Sequence, residues 1–206
     1  YKKAIELDPM DALPWTQLGL LYEYHLHRFA DAERAFKKAL ELGPDMPGHW
    51  WYALGRLLDE KLNRYQEAKD AYRKSIEIDT DQASLAYRDL IFLLLWDLAQ
   101  NSEALDVCRE FLASPDVVES GIGDAVDSIL ELALFGHTRE ALEILKESPS
   151  AGILEPLVIA LQMLLQEEVN APIELMEVAE DILIRLKERC LEVQPSNGGD
   201  DSPPEG

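Results

Sequence analysis

The sequence has few cysteines and no long apolar segment. Its two cysteines, Cys108 and Cys190, lie far apart in segments with helical periodicity, so we expect buried, reduced thiols rather than a disulfide framework. The longest uninterrupted apolar run, residues 90–96, has seven residues, whereas a membrane-spanning helix needs about 20. These absences argue against a disulfide-rich scaffold and a membrane-spanning chain, and they favour a cytoplasmic protein.

Positive charge is also scarce. The 206 residues include 19 Lys and Arg against 40 Asp and Glu, which gives a formal net charge of −21. Nucleic-acid phosphates repel such a chain, so DNA and RNA are not expected as partners, and a basic partner is favoured electrostatically. Acidic surface can equally serve solubility alone. The charge is uneven, because residues 1–100 contain 13 basic and 17 acidic side chains whereas residues 101–206 contain 6 and 23.

The sequence lacks the patterns of metal, phosphate and catalytic sites. His25 and His27 are two residues apart, which places them on different sides of a helix, and no cysteine or carboxylate cluster near them has metal-ligand spacing. The glycines in 121–123 have no strand before them and no Gly-Lys-Ser/Thr sequence after them. Cys108 occupies a helix-packing position and is predicted to be buried rather than nucleophilic. We therefore expect no catalysis, no metal and no cofactor in this chain.

What the sequence does contain is one recurring pattern of apolar and small residues. Between residues 15 and 44 the order is W-x2-L-G-x2-Y, then A-x3-F, then proline: Trp15, Leu18, Gly19, Tyr22, Ala32, Phe36, Ala39 and Pro44. The pattern returns 36 residues later at Trp51, Leu54, Gly55, Ala68 and Tyr72, and less completely after another 36 at Tyr87, Leu90, Ile91, Leu94, Ala104 and Cys108. Spacings of three and four residues predict two amphipathic helices in each unit.

This pattern closely resembles the tetratricopeptide repeat family. The resemblance implies an all-α fold, in which antiparallel helix pairs stack into a right-handed α-solenoid. The family's period is 34 residues, and single insertions between Tyr22 and Ala32 and between Pro44 and Trp51 account for the period of 36. Gly19 and Gly55 lie mid-helix, where we expect close approach of the partner helix at the small residues Ala32 and Ala68.

The repeat register divides the chain into units of decreasing regularity. The predicted parts are the second half of a truncated unit (1–9), two tetratricopeptide units (10–45 and 46–80), two degenerate units (81–115 and 116–148), a C-terminal helical cap (149–193) and a disordered acidic tail (194–206). A cap is expected because a terminal unit must end the apolar stack. Since the chain opens halfway through a unit at Tyr1, Ala4 and Pro9, we expect it to be part of a longer protein.

The resemblance also implies a binding surface, since the leading helix of each unit lines the concave face in this family. The positions that flank Trp15 and its equivalents are Leu13, Thr16, Leu20 and Tyr24, then His49, Tyr52, Arg56 and Glu60, then Leu85, Arg88, Phe92 and Trp96. Aromatic residues and Arg dominate interface energies, so these are the predicted partner-binding residues. For Phe92 and Trp96, packing on an adjoining unit is an equal alternative.

The predicted function is therefore that of a protein-interaction scaffold, which binds a peptide or a partner helix in the groove. The Lys and Asn residues with which chaperone-binding members hold a terminal carboxylate are missing here, where Thr16, Leu20, Ala53, Leu85 and Asp89 stand instead. Two alternatives stay open. One is a sensor or autoinhibitory region of a larger signalling ATPase or protease, and the other is a self-assembly module that associates through its open N-terminal half-unit.

Overall fold

The computed structural model describes residues 1–43, 47–78, 83–114 and 121–193, with side chains through residue 189. Within those ranges it contains eleven α-helices, one π-helical turn and no strand. The α-helices are α1 (Lys2–Leu7), α2 (Leu13–Leu20), α3 (Phe29–Leu42), α4 (Gly48–Glu60), α5 (Tyr65–Glu77), α6 (Ala83–Trp96), α7 (Asn101–Ala113), α8 (Ile122–Leu134), α9 (Thr138–Glu147), α10 (Glu155–Leu164) and α11 (Ile173–Val193). Pro44, the Cys190 side chain and the predicted disordered tail lie outside the described residues.

Consecutive helices pack as pairs, and the pairs stack. The pairs are α2 with α3, α4 with α5, α6 with α7 and α8 with α9. We call the first helix of each pair the leading helix and the second the trailing helix. Leading helix α4 contacts α6, α6 contacts α8, and trailing helix α7 contacts α9. One hydrophobic core runs through the stack from Ala32 to Leu186, so the predicted all-α solenoid of helix pairs is confirmed.

The trailing helices form because their apolar residues recur on one face. In α3, the side chains of Ala32, Phe36 and Ala39 are fully buried, while the opposite face carries exposed charges such as Arg34. Alanine and other good helix formers fill most of its interior. Burial of this stripe against α2 and α4 is what stabilises so short a helix, since isolated helices of this length are marginal in water.

Gly19 and Gly55 allow the two helices of a pair to approach closely. A Cβ atom on Gly19 would lie 2.7 Å from Cε1 of Phe36, and one on Gly55 would lie 2.7 Å from Cδ1 of Tyr72. The close approach expected from the sequence is therefore present. The atoms nearest to each glycine belong to the aromatic ring of the trailing helix, which fills the space left by the missing side chain.

The 36-residue period is visible in the turn between the two helices of a unit. His27, Asn63 and Ala99 lie 36 residues apart and adopt left-handed backbone conformations, with φ of 51°, 52° and 52°. In each turn the next backbone N–H donates to the carbonyl six residues earlier: Arg28 to Tyr22 (2.8 Å), Arg64 to Leu58 (2.9 Å) and Gln100 to Leu94 (2.8 Å). Each left-handed residue thus ends the leading helix and lets the following N–H satisfy a carbonyl near the helix end, as left-handed C-caps commonly do. The insertion predicted between Tyr22 and Ala32 lies in the segment that contains the left-handed residue His27. In the first unit, α2 also widens into the π-turn Leu21–His25.

The last two helices depart from the repeat. Helix α10 packs on α9, and α11 packs on α10 but also returns to contact leading helix α8. Ile159, Ala160, Ala179 and Leu183 form a second, smaller core between α10 and α11, while Leu186 belongs to the main core. The capping role of this pair remains a prediction. No helix within the described ranges combines the length and apolar character that crossing a membrane requires.

Candidate partner-binding face

The leading helices α2, α4, α6 and α8, with the π-turn that extends α2, carry the predicted partner-binding residues; we call this side of the array the leading-helix face. Leu13, Tyr24 and Trp96 are 58%, 52% and 49% exposed, and Glu60 is also exposed. A second group is partly exposed: Leu20, His49, Tyr52, Arg56, Leu85, Arg88 and Phe92. Most of the predicted set is thus accessible in part to a partner.

Thr16 is the exception among the predicted residues. Its side chain is fully buried, and its hydroxyl donates a hydrogen bond of 2.8 Å to the carbonyl oxygen of Leu13. This local bond satisfies the hydroxyl within the first turn of α2, where threonine commonly bonds back to the helix. Thr16 therefore has no open surface to offer a partner, and its assignment to the binding set is corrected.

Polar contacts join each leading helix to the next. Between the π-turn and α4, Arg56 Nη2 lies 3.2 Å from Glu23 Oε1, and it also donates to the hydroxyl of Tyr24. Between α4 and α6, the Tyr52 hydroxyl donates to Asp89 Oδ2 at 2.8 Å. We call this series of contacts the polar ladder. It holds successive units in register along the leading-helix face.

The ladder continues from α6 to α8 and reaches α11. Arg88 Nη1 donates to Asp124 Oδ1 at 2.7 Å, and the Trp96 indole N–H donates to Glu131 Oε2 at 3.2 Å. The Trp96 ring also packs on Phe135, with centroids 4.8 Å apart. The other Glu131 oxygen accepts from Arg189 of α11. The packing alternative predicted for Trp96 is therefore present, while partner binding by its exposed part remains a prediction.

Two acids of the ladder are buried, and their pKa values are shifted. Glu23 is 3% exposed and Glu131 is 1% exposed. Burial raises the pKa of Glu23, and the neighbouring Arg56 only partly opposes this rise. Burial likewise raises the pKa of Glu131, against the opposing charge of Arg189. These carboxylates depend on their arginine partners to remain charged inside the array.

A pocket of about 320 Å³ opens on the face between α4 and α6; we call it the Asp59 pocket. Five predicted residues line it, namely Tyr52, Arg56, Glu60, Arg88 and Phe92, together with Asp59, Tyr72 and Asp89, which sequence reasoning missed. The rings of Tyr52 and Tyr72 lie 5.9 Å apart, and the Tyr72 hydroxyl donates to Asp59 Oδ2 at 3.2 Å. A signal was present in the sequence: Tyr72 replaces the Phe36 of the first unit, and a buried tyrosine hydroxyl needs a polar partner.

Asp59 is the most perturbed carboxyl in this pocket. Burial raises its pKa to about 6, and the negative charges of Asp97, Asp89 and Glu60 act in the same direction, while the Tyr72 hydrogen bond opposes them. The largest influences on its pKa therefore include three carboxylates and one neutral hydroxyl. Asp59 is therefore a desolvated carboxylate among like charges, which is a costly arrangement for a purely structural residue.

Other pockets border the array, and two of them lie next to predicted residues. One, of about 300 Å³, lies at the N-terminal end of the face and is lined in part by the predicted residues Leu20 and Tyr24. Another, of about 330 Å³, lies between trailing helices α3 and α5, over Trp51 and Leu54 of α4. The second combines residues that the repeat pattern assigns to packing, such as Trp51 and Leu54, with charged side chains of α3 and α5.

The chemistry of the remaining candidate groups is limited. Among the residues that the structure describes, no three His, Cys, Asp or Glu side chains are arranged to hold a metal ion. Cys108 is a free, buried thiol, and burial raises its pKa to about 12. A thiolate nucleophile is therefore not available at Cys108 near neutral pH.

Comparison with known proteins agrees with this architecture. A model of the tetratricopeptide repeat family matches residues 11–81. The solved structure of YrrB, described as a tetratricopeptide repeat protein with an unusual peptide-binding site, shares 22% sequence identity at a TM-score of 0.56, over 93% of this chain and 97% of YrrB. The type IV pilus biogenesis factor PilW shares 18% identity at a TM-score of 0.53, over 96% of this chain and 84% of PilW.

No curated protein sequence matches the chain, and the identities with the solved structures are low enough that they support the fold alone. The family match covers the two units in which the sequence pattern is most complete. The helix pairs of the later units continue the same stack without the full pattern. The similarity to the tetratricopeptide repeat family is therefore carried by residues 11–81, the segment that the family model matches.

Proposed function

We propose that this chain is a protein-interaction scaffold, and that its leading-helix face forms a concave groove that holds a peptide or a helix of a partner protein. The observation that carries the proposal is the chemistry of this face. It presents partly exposed aromatic rings, Tyr24, Tyr52, Phe92 and Trp96, in successive units, beside a pocket of about 320 Å³. Aromatic anchors next to a pocket are the usual centre of a protein–protein interface.

Site-specific photocrosslinking tests this proposal. A benzoylphenylalanine is introduced on the leading-helix face in place of Tyr24 or Trp96, and on the opposite side in place of Arg34 of α3, whose side chain is 78% exposed. Each variant is irradiated in an extract of the native cell. We expect a partner band from the Tyr24 and Trp96 positions that is absent from the Arg34 position. Equal labelling from both sides would show that the leading-helix face is not the binding surface.

Self-association through the N-terminal half-unit is a second candidate, and one observation favours it. Tyr1, Leu7, Met10 and Leu13 are 56%, 80%, 71% and 58% exposed, and a second copy that packed on them would bury their apolar side chains. Light scattering across a concentration series tests this candidate. A mass that rises with concentration and returns to the monomer value in Leu7→Glu would support it, whereas a constant monomer mass would exclude it.

A further inference from the structure

We propose that the Asp59 pocket binds a lysine or arginine side chain of the partner, so that the segment held in the groove is basic. This inference rests on the proposed function, because it assigns the chemistry of one subsite in the same groove. The pocket offers the aromatic walls of Tyr52, Tyr72 and Phe92 together with the Asp59 carboxylate. An aromatic wall beside a carboxylate is suited to a cationic side chain with an apolar stem.

The cations that line the pocket are already neutralised. Arg88 donates to Asp89 at 2.8 Å and to Asp124 at 2.7 Å, so two carboxylates share its single charge. Arg56 is paired with Glu23 at 3.2 Å. Neither guanidinium is therefore free to attract an acidic ligand, and the pocket does not favour a negatively charged partner.

Asp59, by contrast, has no ion pair with any residue that the structure describes. It accepts one hydrogen bond, from the Tyr72 hydroxyl, and its nearest charged influences are the carboxylates Asp97, Asp89 and Glu60. Glu60 itself has a partner, because Lys61 Nζ lies 3.2 Å from its Oε2. A cation from outside the chain would supply the partner that Asp59 lacks.

A second buried carboxylate on the same face is also incompletely satisfied. Glu23 is 3% exposed, and its Oε2 accepts no hydrogen bond from the described residues, although its Oε1 faces Arg56. Buried carboxylate oxygens are rarely left without a donor. Glu23 does not line the pocket itself, but it pairs with Arg56, which does, and so it holds this cation away from a ligand.

The chain contains its own example of this recognition. On leading helix α8, the carboxylate of Glu131 accepts from the guanidinium of Arg189, which α11 brings to the face. The same carboxylate accepts from the indole of Trp96 on α6, at 3.2 Å. A carboxylate beside an aromatic ring thus already holds an arginine from a helix that packs on this side of the array. The Asp59 pocket likewise combines a carboxylate with aromatic rings, and its own arginines, Arg56 and Arg88, are paired with other carboxylates.

A selection from a random twelve-residue peptide library, displayed on phage and offered to the immobilised chain, tests the inference. We expect the enriched peptides to share a lysine or arginine at one aligned position. Individual peptides are then synthesised, and their dissociation constants are measured by fluorescence anisotropy. Charge-assisted hydrogen bonds of this kind predict that Asp59→Asn weakens binding about tenfold or more.

The matched control is Asp106→Asn, which removes one negative charge from a side chain that is 71% exposed on trailing helix α7. Both variants have the same net charge. A loss of affinity that occurs only in Asp59→Asn is therefore caused by the pocket and not by the overall negative charge of the protein. Replacement of the aligned basic residue in the peptide by norleucine should lower the affinity by about the same factor as Asp59→Asn does. The two changes together should lower the affinity little more than either change alone, because both remove the same contact.

Four results would overturn the inference, and they separate it from the proposed function. Enriched peptides without a shared basic residue, or equal affinity for the chain and Asp59→Asn, would refute the cationic subsite. If such peptides nevertheless lose affinity with Trp96→Ala, groove binding stands and only the subsite is wrong. If no peptide is enriched, or if no substitution on the leading-helix face changes affinity, both the subsite and the proposed function fail.

Discussion

Asp59→Asn should stabilise the folded chain at neutral pH, even though it is expected to impair binding. Asparagine has nearly the same shape as aspartate and can still accept the hydrogen bond that Tyr72 donates at 3.2 Å. It carries no charge, so it removes the burial of a carboxylate among Asp97, Asp89 and Glu60. Side chains that bind a ligand often destabilise the protein when the ligand is absent. This substitution would measure that trade-off at Asp59.

The magnitude follows from the pKa of Asp59, which rises from 3.8 in the unfolded chain to about 6 in the folded chain. A rise of about two units corresponds to about 3 kcal/mol of stability lost when the group is ionised. Asp59 is only partly buried, and solvent screening reduces the value to about 1 kcal/mol. Because the folded chain holds the proton more tightly, this cost is absent below the unfolded pKa and grows as pH rises from about 4 to about 6.

The assay is urea denaturation followed by far-UV circular dichroism, for the wild-type chain and Asp59→Asn at pH 4.5, 5.5, 6.5 and 7.5. We expect the variant to be more stable by about 1 kcal/mol at pH 7.5, with a difference that shrinks at pH 4.5. Carboxylates remote from Asp59 titrate equally in both chains and cancel in the difference. Asp106→Asn should show no such pH dependence. A destabilised Asp59→Asn at pH 7.5, or a difference that does not vary with pH, would refute the electrostatic account of this pocket.

Three further substitutions test the packing and the polar ladder. Arg56→Ala should lower the free energy of unfolding by about 2 kcal/mol, because it leaves the carboxylate of Glu23, which is 3% exposed, without its partner; urea denaturation measures this. Gly19→Leu should cost more than about 2 kcal/mol in the same assay, because even its Cβ would lie 2.7 Å from the Phe36 ring. Ala99→Gly should raise the stability by about 0.5 kcal/mol, since glycine relieves the left-handed φ of 52° more than it costs in chain entropy.

Each of these substitutions has its own control. Adding Glu23→Gln to Arg56→Ala should recover part of the lost stability, and no recovery would mean that Arg56 acts through packing instead. Phe36→Leu should reduce the loss of stability caused by Gly19→Leu. Strictly additive effects on the free energy of unfolding would contradict a contact between positions 19 and 36. Ala113→Gly, at an exposed position in the last turn of α7, should be destabilising. If Ala99→Gly were equally destabilising, the left-handed turn would not be a source of strain.

The repeat architecture could be predicted from the sequence because the same positions recur 36 residues apart. Gly19 and Phe36 return as Gly55 and Tyr72, and both glycines meet the ring of the trailing helix. A repeated packing position reports the same physical constraint more than once, and this repetition makes the pattern specific. The return of α11 to α8 has no counterpart in the repeat, so the pattern contains no information about it.

The candidate site was predicted less completely, for a physical reason. The repeat register assigns residues to a face, and all of the predicted residues except Thr16 keep some exposure. It does not assign partners to long polar side chains. Whether Arg88 faces a ligand or Asp124 depends on the lateral offset between α6 and α8, which the spacing of apolar residues does not determine. Asp59 was missed because its significance comes from Tyr72 and Asp97, which lie far from it in sequence.

The polar ladder changes how substitutions on this face should be interpreted. An arginine that joins two leading helices contributes to the stability of the array, so loss of binding in Arg88→Ala has two explanations that a binding assay alone does not separate. Asp59 is free of this ambiguity, because its replacement by asparagine is expected to stabilise the chain while it weakens a cationic ligand. Binding and stability then change in opposite directions, and that opposition distinguishes a residue kept for its ligand from one kept for the fold.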